Sequence, residues 1–104
     1  MIDIINLRKY FENDNVLISD HVAMRFRQRG LKVKDIRCAV NNGEIIEQYP
    51  EDFPFPSCLI LGKAADEKII HVVMSDEGSA SRIITAYFPD HNNWDETYSV
   101  RKKG

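Results

Sequence analysis

Apolar residues follow two different rhythms along this chain, and the change falls at Gly43. Before it they recur at helical spacing. Ile4, Ile5, Leu7, Tyr10 and Phe11 predict an amphipathic helix within residues 2–13, broken by Asn13-Asp14-Asn15. Val22, Ala23 and Phe26 predict a second helix over 19–29, opened by Ser19 as a cap and closed by Gly30. Val33, Ile36, Ala39 and Val40 predict a third, beginning near Lys34 and stopped by Asn41-Asn42-Gly43. Val16-Leu17-Ile18 is apolar but too short for periodicity to separate a connector from a small edge strand.

After Gly43 the apolar residues come in short runs rich in β-branched side chains. Strands are predicted at Glu44–Tyr49, Ser57–Lys63, Lys68–Ser75 and Ser81–Phe88. Pro50, Pro54 and Pro56 make the first connection a loop, and Asp76-Glu77-Gly78-Ser79 makes the last one a hairpin. Trp94 and Tyr98 are expected to pack a short C-terminal turn or helix against the sheet. Helices first and an antiparallel meander afterwards define an α+β fold, with N-terminal helices packed on a sheet of about four antiparallel strands. At 104 residues the chain is expected to form one domain, 1–104.

Charge changes this picture more than composition does. The formal net charge of -2 argues against holding nucleic acid by bulk attraction. The distribution is uneven, however. Arg25, Arg27, Arg29, Lys32, Lys34 and Arg37 face only Asp35 in the same stretch, whereas acids dominate from Glu44 to Glu77 and Arg101-Lys102-Lys103 is basic again. Such a dipolar surface suits local contact with a short stretch of RNA or with an acidic partner. No run approaches the ~20 apolar residues of a membrane span, and the first residues lack the order of a signal peptide, so a cytoplasmic protein is expected. Cys38 and Cys58 form no metal or redox pattern and are expected to be small core residues.

The candidate chemistry is concentrated in Ser19–Gly30. On a helix His21, Arg25 and Gln28 fall along one stripe with Arg29 at its edge, opposite the apolar face. A histidine among guanidiniums is equipment for handling phosphate. The plainer alternative is a solvated basic face, with Arg25 and Arg29 fastened to Glu44 or Glu47. The last two strands offer His71, Arg82, Thr85 and Tyr87. Strict alternation puts Ile69, His71 and Val73 on one face of their strand, and Ser81, Ile83, Thr85 and Tyr87 together on one face of the next, with Arg82 on the other. Hairpin register decides whether His71 lies beside Thr85 or Arg82. His21, His71 and His91 have no local ligand spacing, so neither a metal nor another cofactor is expected.

Taken in order, H-x-x-x-R-x-x-Q-R at His21–Arg29, N-G-E-I-I-E-x-Y-P at Asn42–Pro50, L-I-L-G at Leu59–Gly62, H-V-V at His71–Val73, I-I-T-A-Y-x-P-D at Ile83–Asp90 and Trp94 resemble the bacterial domain-of-unknown-function family 4258, from Ile18 to about Arg101. The resemblance implies a fold similar to the RelE and MqsR messenger-RNA-cleaving toxins, a RelE/barnase-like architecture. It also implies a place as the toxin half of a toxin–antitoxin pair, with a zinc-finger or helix-turn-helix antitoxin as partner and mRNA as substrate. On that expectation the protein is a metal-independent endoribonuclease working by 2′-hydroxyl attack. His21, Arg25, His71 and Tyr87 then carry the chemistry, and Gln28, Arg29, Arg82 and Thr85 bind the RNA. The acidic balance departs from ribosome-dependent RelE nucleases, which tend to be strongly basic, and fits cleavage of free RNA better. Two other readings stand beside it. One is a non-catalytic module whose basic helix docks an acidic partner; the other is a homodimer formed through the sheet edge near Glu44–Tyr49.

Overall fold

The computed structural model of the protein describes residues 1–102, so Lys103 of the basic tail lies outside the described residues. Among the described residues there are three helices, α1 (Ile4–Glu12), α2 (Asp20–Arg29) and α3 (Val33–Asn42). There are five strands, β1 (Val16–Leu17), β2 (Glu44–Tyr49), β3 (Ser57–Lys63), β4 (Ile69–Ser75) and β5 (Ser81–Tyr87). The helix ends follow local chemistry. The Asp3 side chain accepts from Ile5 N–H and the Ser19 side chain from Val22 N–H, while Gly30 ends α2 at φ 72°, where a Cβ would be strained. Asn41 and Asn42 remain helical, and Gly43 is the residue that leaves the helix.

The sheet is open, with order β1-β5-β4-β3-β2. Four strands form the expected antiparallel meander. The fifth corrects the four-strand expectation: Val16 and Leu17 pair in parallel with Ser81 and Arg82, adding a two-residue edge strand to β5. A run this short carries no periodicity of its own, and only its partner 65 residues away makes it a strand.

Opposed residues of neighbouring strands share a face. Cys58, Met74 and Ile83 form one row, and Ile60, Val72 and Ala86 the next. This inner face is buried against Leu7, Phe11, Phe26, Ile36, Ala39 and Val40 of the helices. Helix α3 comes closest, because Gly43 and Gly62 leave no Cβ between it and β3; a Cβ on Gly62 would meet the Ala39 carbonyl oxygen well inside van der Waals distance. Tyr10 donates a 2.8 Å hydrogen bond to Asp76, fastening α1 to the β4–β5 hairpin.

The outer face carries Leu59, Val73 and Thr85 in one row and Leu61, His71 and Tyr87 in another. Two β-bulges decide what reaches it. In β2, Ile45 opposes Ile60 but Glu47 opposes Leu59, so Ile46 is an extra residue. In β5, Ile83 opposes Met74 but Thr85 opposes Val73, so Ile84 is extra. Each insertion reverses the alternation beyond it. Thr85 and Tyr87 are therefore turned away from the face of Ile83, which corrects the expectation that Ser81, Ile83, Thr85 and Tyr87 lie together. Glu47 is likewise turned out of the core.

Among the described residues, the C-terminal stretch forms neither helix nor strand. After Tyr87 it crosses the outer face as a strap, with one isolated bridge between Trp94 and Arg101. Trp94 is buried beneath it. Among the described residues no helix is long and apolar enough to cross a membrane.

Candidate functional site

Helix α2 lies along the β5 edge that β1 leaves open. β1 runs parallel to β5 at Ser81–Arg82, α2 begins three residues after it, and Arg29 at the end of α2 reaches Ala86. Helix and strand therefore run side by side in the same direction. Phe26 is the α2 residue buried in the core. On the other side His21, Arg25, Gln28 and Arg29 are all exposed.

Arg29 joins helix to strand. Its Nη1 donates 2.7 Å to the Ala86 carbonyl and 3.3 Å to Thr85 Oγ1. One turn earlier, Arg25 Nε donates 3.2 Å to His21 Nε2, which must be the unprotonated nitrogen of a neutral ring to accept. His21 and Arg29 are eight residues apart, about 12 Å of helix axis. The ridge thus has two ends: His21–Arg25 towards the start of β5, and Arg29 at Thr85–Tyr87. Arg82, at the start of β5, is paired at 3.1 Å with Glu77 and lies beside Phe53, Pro54 and Phe55.

The alternative, a fastening of Arg25 and Arg29 to Glu44 or Glu47, is not formed. Glu47 is taken by Arg101, through Nε at 3.1 Å and Nη2 at 3.2 Å, and Tyr49 donates its hydroxyl to the same carboxylate. Among the described residues no carboxylate lies within ion-pair distance of Arg25, Arg27, Arg29, Lys32, Lys34 or Arg37.

His71 sits on the outer face, opposite Tyr87, and the strap covers it completely. Its Nε2 lies 2.8 Å from the Tyr98 carbonyl and its Nδ1 3.4 Å from the Tyr87 hydroxyl. A carbonyl only accepts, so Nε2 carries the proton and Nδ1 faces the phenol as an acceptor. Trp94 packs edge-on at 4.4 Å between ring centres, and Arg101 lies 4.7 Å over the Trp94 ring. Burial lowers the His71 pKa from its ordinary value, outweighing the Tyr98 carbonyl and the Glu47 charge, which both raise it. Burial likewise raises that of Tyr87, which keeps its proton. The Glu47 carboxyl is held low by Tyr49 and Arg101 against the upward push of its burial, and Tyr49 is pushed up to about 12, first by burial and then by Glu47.

The eight residues singled out from sequence thus divide. Arg29, Thr85 and Tyr87 stand together at one end of the ridge, and His21 and Arg25 pair at the other. His71 lies beneath Tyr87 under the strap; Arg82 and Gln28 are exposed. Sequence reasoning missed Glu47, Tyr49, Trp94 and Arg101 as a cluster around Tyr87. The basic tail and the single tryptophan were the available signals, but nothing local links residues 47 and 101. The three histidines do not converge, and no group of metal-ligating side chains occurs among the described residues.

These features define an α+β domain with an open sheet, a row of cations along one edge helix with no ion-pair partner among the described residues, and a polar cluster on the outer face beneath the strap. The chain belongs to the family described as a domain of unknown function, DUF4258, whose model matches residues 18–88. The matched stretch holds α2, α3 and the β2–β5 meander, and leaves α1 and most of the strap outside it. No curated protein and no solved structure matches the chain.

Proposed function

We propose that this protein acts on single-stranded RNA, as a metal-independent endoribonuclease of the toxin kind, along the ridge between α2 and β5. The observation that carries this reading is the row of His21, Arg25 and Arg29, exposed at successive turns of one helix with no carboxylate among the described residues neutralising the guanidiniums. A polyanion with regularly spaced charges is the natural complement of such a row. Thr85 and Tyr87 beside Arg29 supply hydroxyls for sugar and phosphate.

The chemistry belongs at His21–Arg25. An arriving phosphate draws the Arg25 guanidinium away from His21 and frees Nε2. That nitrogen takes the 2′-hydroxyl proton as the 2′-oxygen attacks phosphorus. Arg25 stabilises the charge on the phosphoryl oxygens. The P–O5′ bond breaks, solvent at this exposed site protonates the leaving oxygen, and a 2′,3′-cyclic phosphate remains. Arg29 and Arg82 bind flanking phosphates. His71, fully buried, acts as a positioning residue for Tyr87 and for the strap. The likeness to the RelE and MqsR fold, and the antitoxin partner it brings, belong to the same proposal; their support is the helix-then-meander order and the outward-facing cationic edge.

The test is purified protein on a defined RNA and on the same strand lacking its 2′-hydroxyls. Cleavage of the RNA alone, leaving cyclic phosphate ends and reduced about 100-fold or more in folded His21→Ala and Arg25→Ala proteins, is the expected result. Arrest of bacterial growth on expression, relieved by the same substitutions, follows from it. Binding without cleavage overturns the nuclease. No binding at all moves the ridge to the second reading, a docking face for an acidic protein, which the half-exposed Met24 between these cations also favours.

A further inference from the structure

Between the strap and the end of β5 lies a cavity of about 400 Å³, lined by the aromatic rings of Tyr87, Phe88 and Trp94, by Asn93, by the cations Arg101 and Lys102, and by one carboxylate, Asp90. Its volume is within the range of pockets that hold small molecules. Two of its lining groups are cations, and one of them is fixed in place. Arg101 commits Nε and Nη2 to Glu47 and Tyr49, and lies over the Trp94 ring. Nη1 has no acceptor among the described residues, so one edge of an anchored guanidinium remains unspent. Lys102 follows it in the chain, with its backbone N–H held 2.9 Å from the Asn93 carbonyl, and Asn93 adds an amide. Phe88, exposed by 41%, offers an aromatic face at the rim.

We propose that this cavity binds one nucleoside monophosphate unit of the RNA. The phosphate lies on Arg101 Nη1 and Lys102, the sugar near the Tyr87 hydroxyl, and the base against Phe88. A preset guanidinium beside a second cation recognises phosphate, and an exposed aromatic ring stacks with any base. Asp90, whose Oδ1 accepts from Asn92 N–H, also lines the cavity, and the sugar is placed beside it because a carboxylate repels phosphate and accepts from ribose hydroxyls. The proposal deepens the ribonuclease reading and rests on it for the source of the nucleotide. Tyr87 then stands between two phosphate positions, Arg29 on one side and Arg101 on the other, so that the RNA continues from the helix ridge across the end of β5.

Trp94 is the only tryptophan in the chain, and it lines the cavity, so its fluorescence reports occupancy directly. Titration of the full chain with uridine 3′-monophosphate, adenosine 3′-monophosphate, inorganic phosphate and uridine is the experiment. Saturable fluorescence changes with both nucleotides, weaker with phosphate and absent with uridine, are expected. Lys102→Ala should weaken nucleotide binding about tenfold, the size of one charge-assisted hydrogen bond, whereas Lys9→Ala on α1 should leave it unchanged. No fluorescence change with either nucleotide at millimolar concentration overturns the proposal, as does equal weakening by the two lysine substitutions, which would mean bulk charge alone. Because mononucleotides are not cleaved in this assay, either result stands whether or not the protein cuts RNA.

Discussion

Removing the Arg29 guanidinium tests whether α2 is held on β5 as described. The Ala86 carbonyl lies beyond the two residues of β5 that β1 covers, and Arg29 Nη1 is the donor that reaches it, at 2.7 Å. A hydrogen bond from a charged donor contributes about 1.5–3 kcal/mol when well shielded. Arg29 is exposed, so water competes for the carbonyl once the side chain is gone, and the net loss falls below that range. The second bond, 3.3 Å to Thr85, adds little at that length. About 1 kcal/mol remains for Arg29→Ala, equivalent to about 4–8 °C in melting temperature for a domain of this size. Arg29→Lys keeps the charge and can reach one acceptor but not both, so it should recover part of the loss. Thr85→Val combined with Arg29→Ala should be additive to within about 0.5 kcal/mol, since the hydroxyl contact is the weaker of the two. Thermal melts followed by circular dichroism give all four values. A melting temperature for Arg29→Ala within 1 °C of the unsubstituted protein would refute the anchoring of α2 at its C-terminal end, and with it the alignment of the ridge to Thr85 and Tyr87.

Gly62→Ala should be more damaging, because the new methyl has only the Ala39 backbone to push against, its Cα at 2.8 Å. Overpacking of about 1–3 kcal/mol, visible as a lower urea midpoint, is expected, and an unchanged midpoint would contradict the close approach of α3 to β3. His71 should titrate below its ordinary value of 6.5 by NMR, because burial disfavours the charged ring. Its folded pKa is depressed, so its contribution to stability is complete above about pH 6.5 and is lost as the pH falls from there through the folded value. The corresponding loss from Glu47, whose pKa is also lowered, begins only below its ordinary 4.5. A protein more stable to urea at pH 5.5 than at pH 7.5 would contradict the buried, neutral His71.

Local chemistry made much of the architecture readable. Ser19 and Gly30 bracket α2 as capping and left-handed geometry require, and the β-branched runs of β3 and β4 mark strands without help from elsewhere. What could not be read was whatever depended on a distant partner. Val16-Leu17 is a strand because Ser81-Arg82 is there to pair with it. Strict alternation predicts one face for Ile83, Thr85 and Tyr87, yet Ile84 is inserted against β4, and that one residue turns Thr85 and Tyr87 from the core side to the outer face. The candidate site shows the same division. The His21–Arg25–Arg29 row follows from helical spacing alone. The engagement of Glu47 by Arg101 spans 54 residues and needs a second bulge, at Ile46, to bring the carboxylate outward.

The pairing of the first strand with the last has a consequence for the order in which the molecule is made. Helix α2 is synthesised early, but the carbonyl that Arg29 grips and the hydroxyls beside it belong to residues 85–87, and β1 has no partner until residue 81 exists. A chain emerging from the ribosome therefore carries its cationic helix without the strand that anchors it. The α2–β5 edge is complete only after residues 81–87 have left the exit tunnel, well after α2 itself.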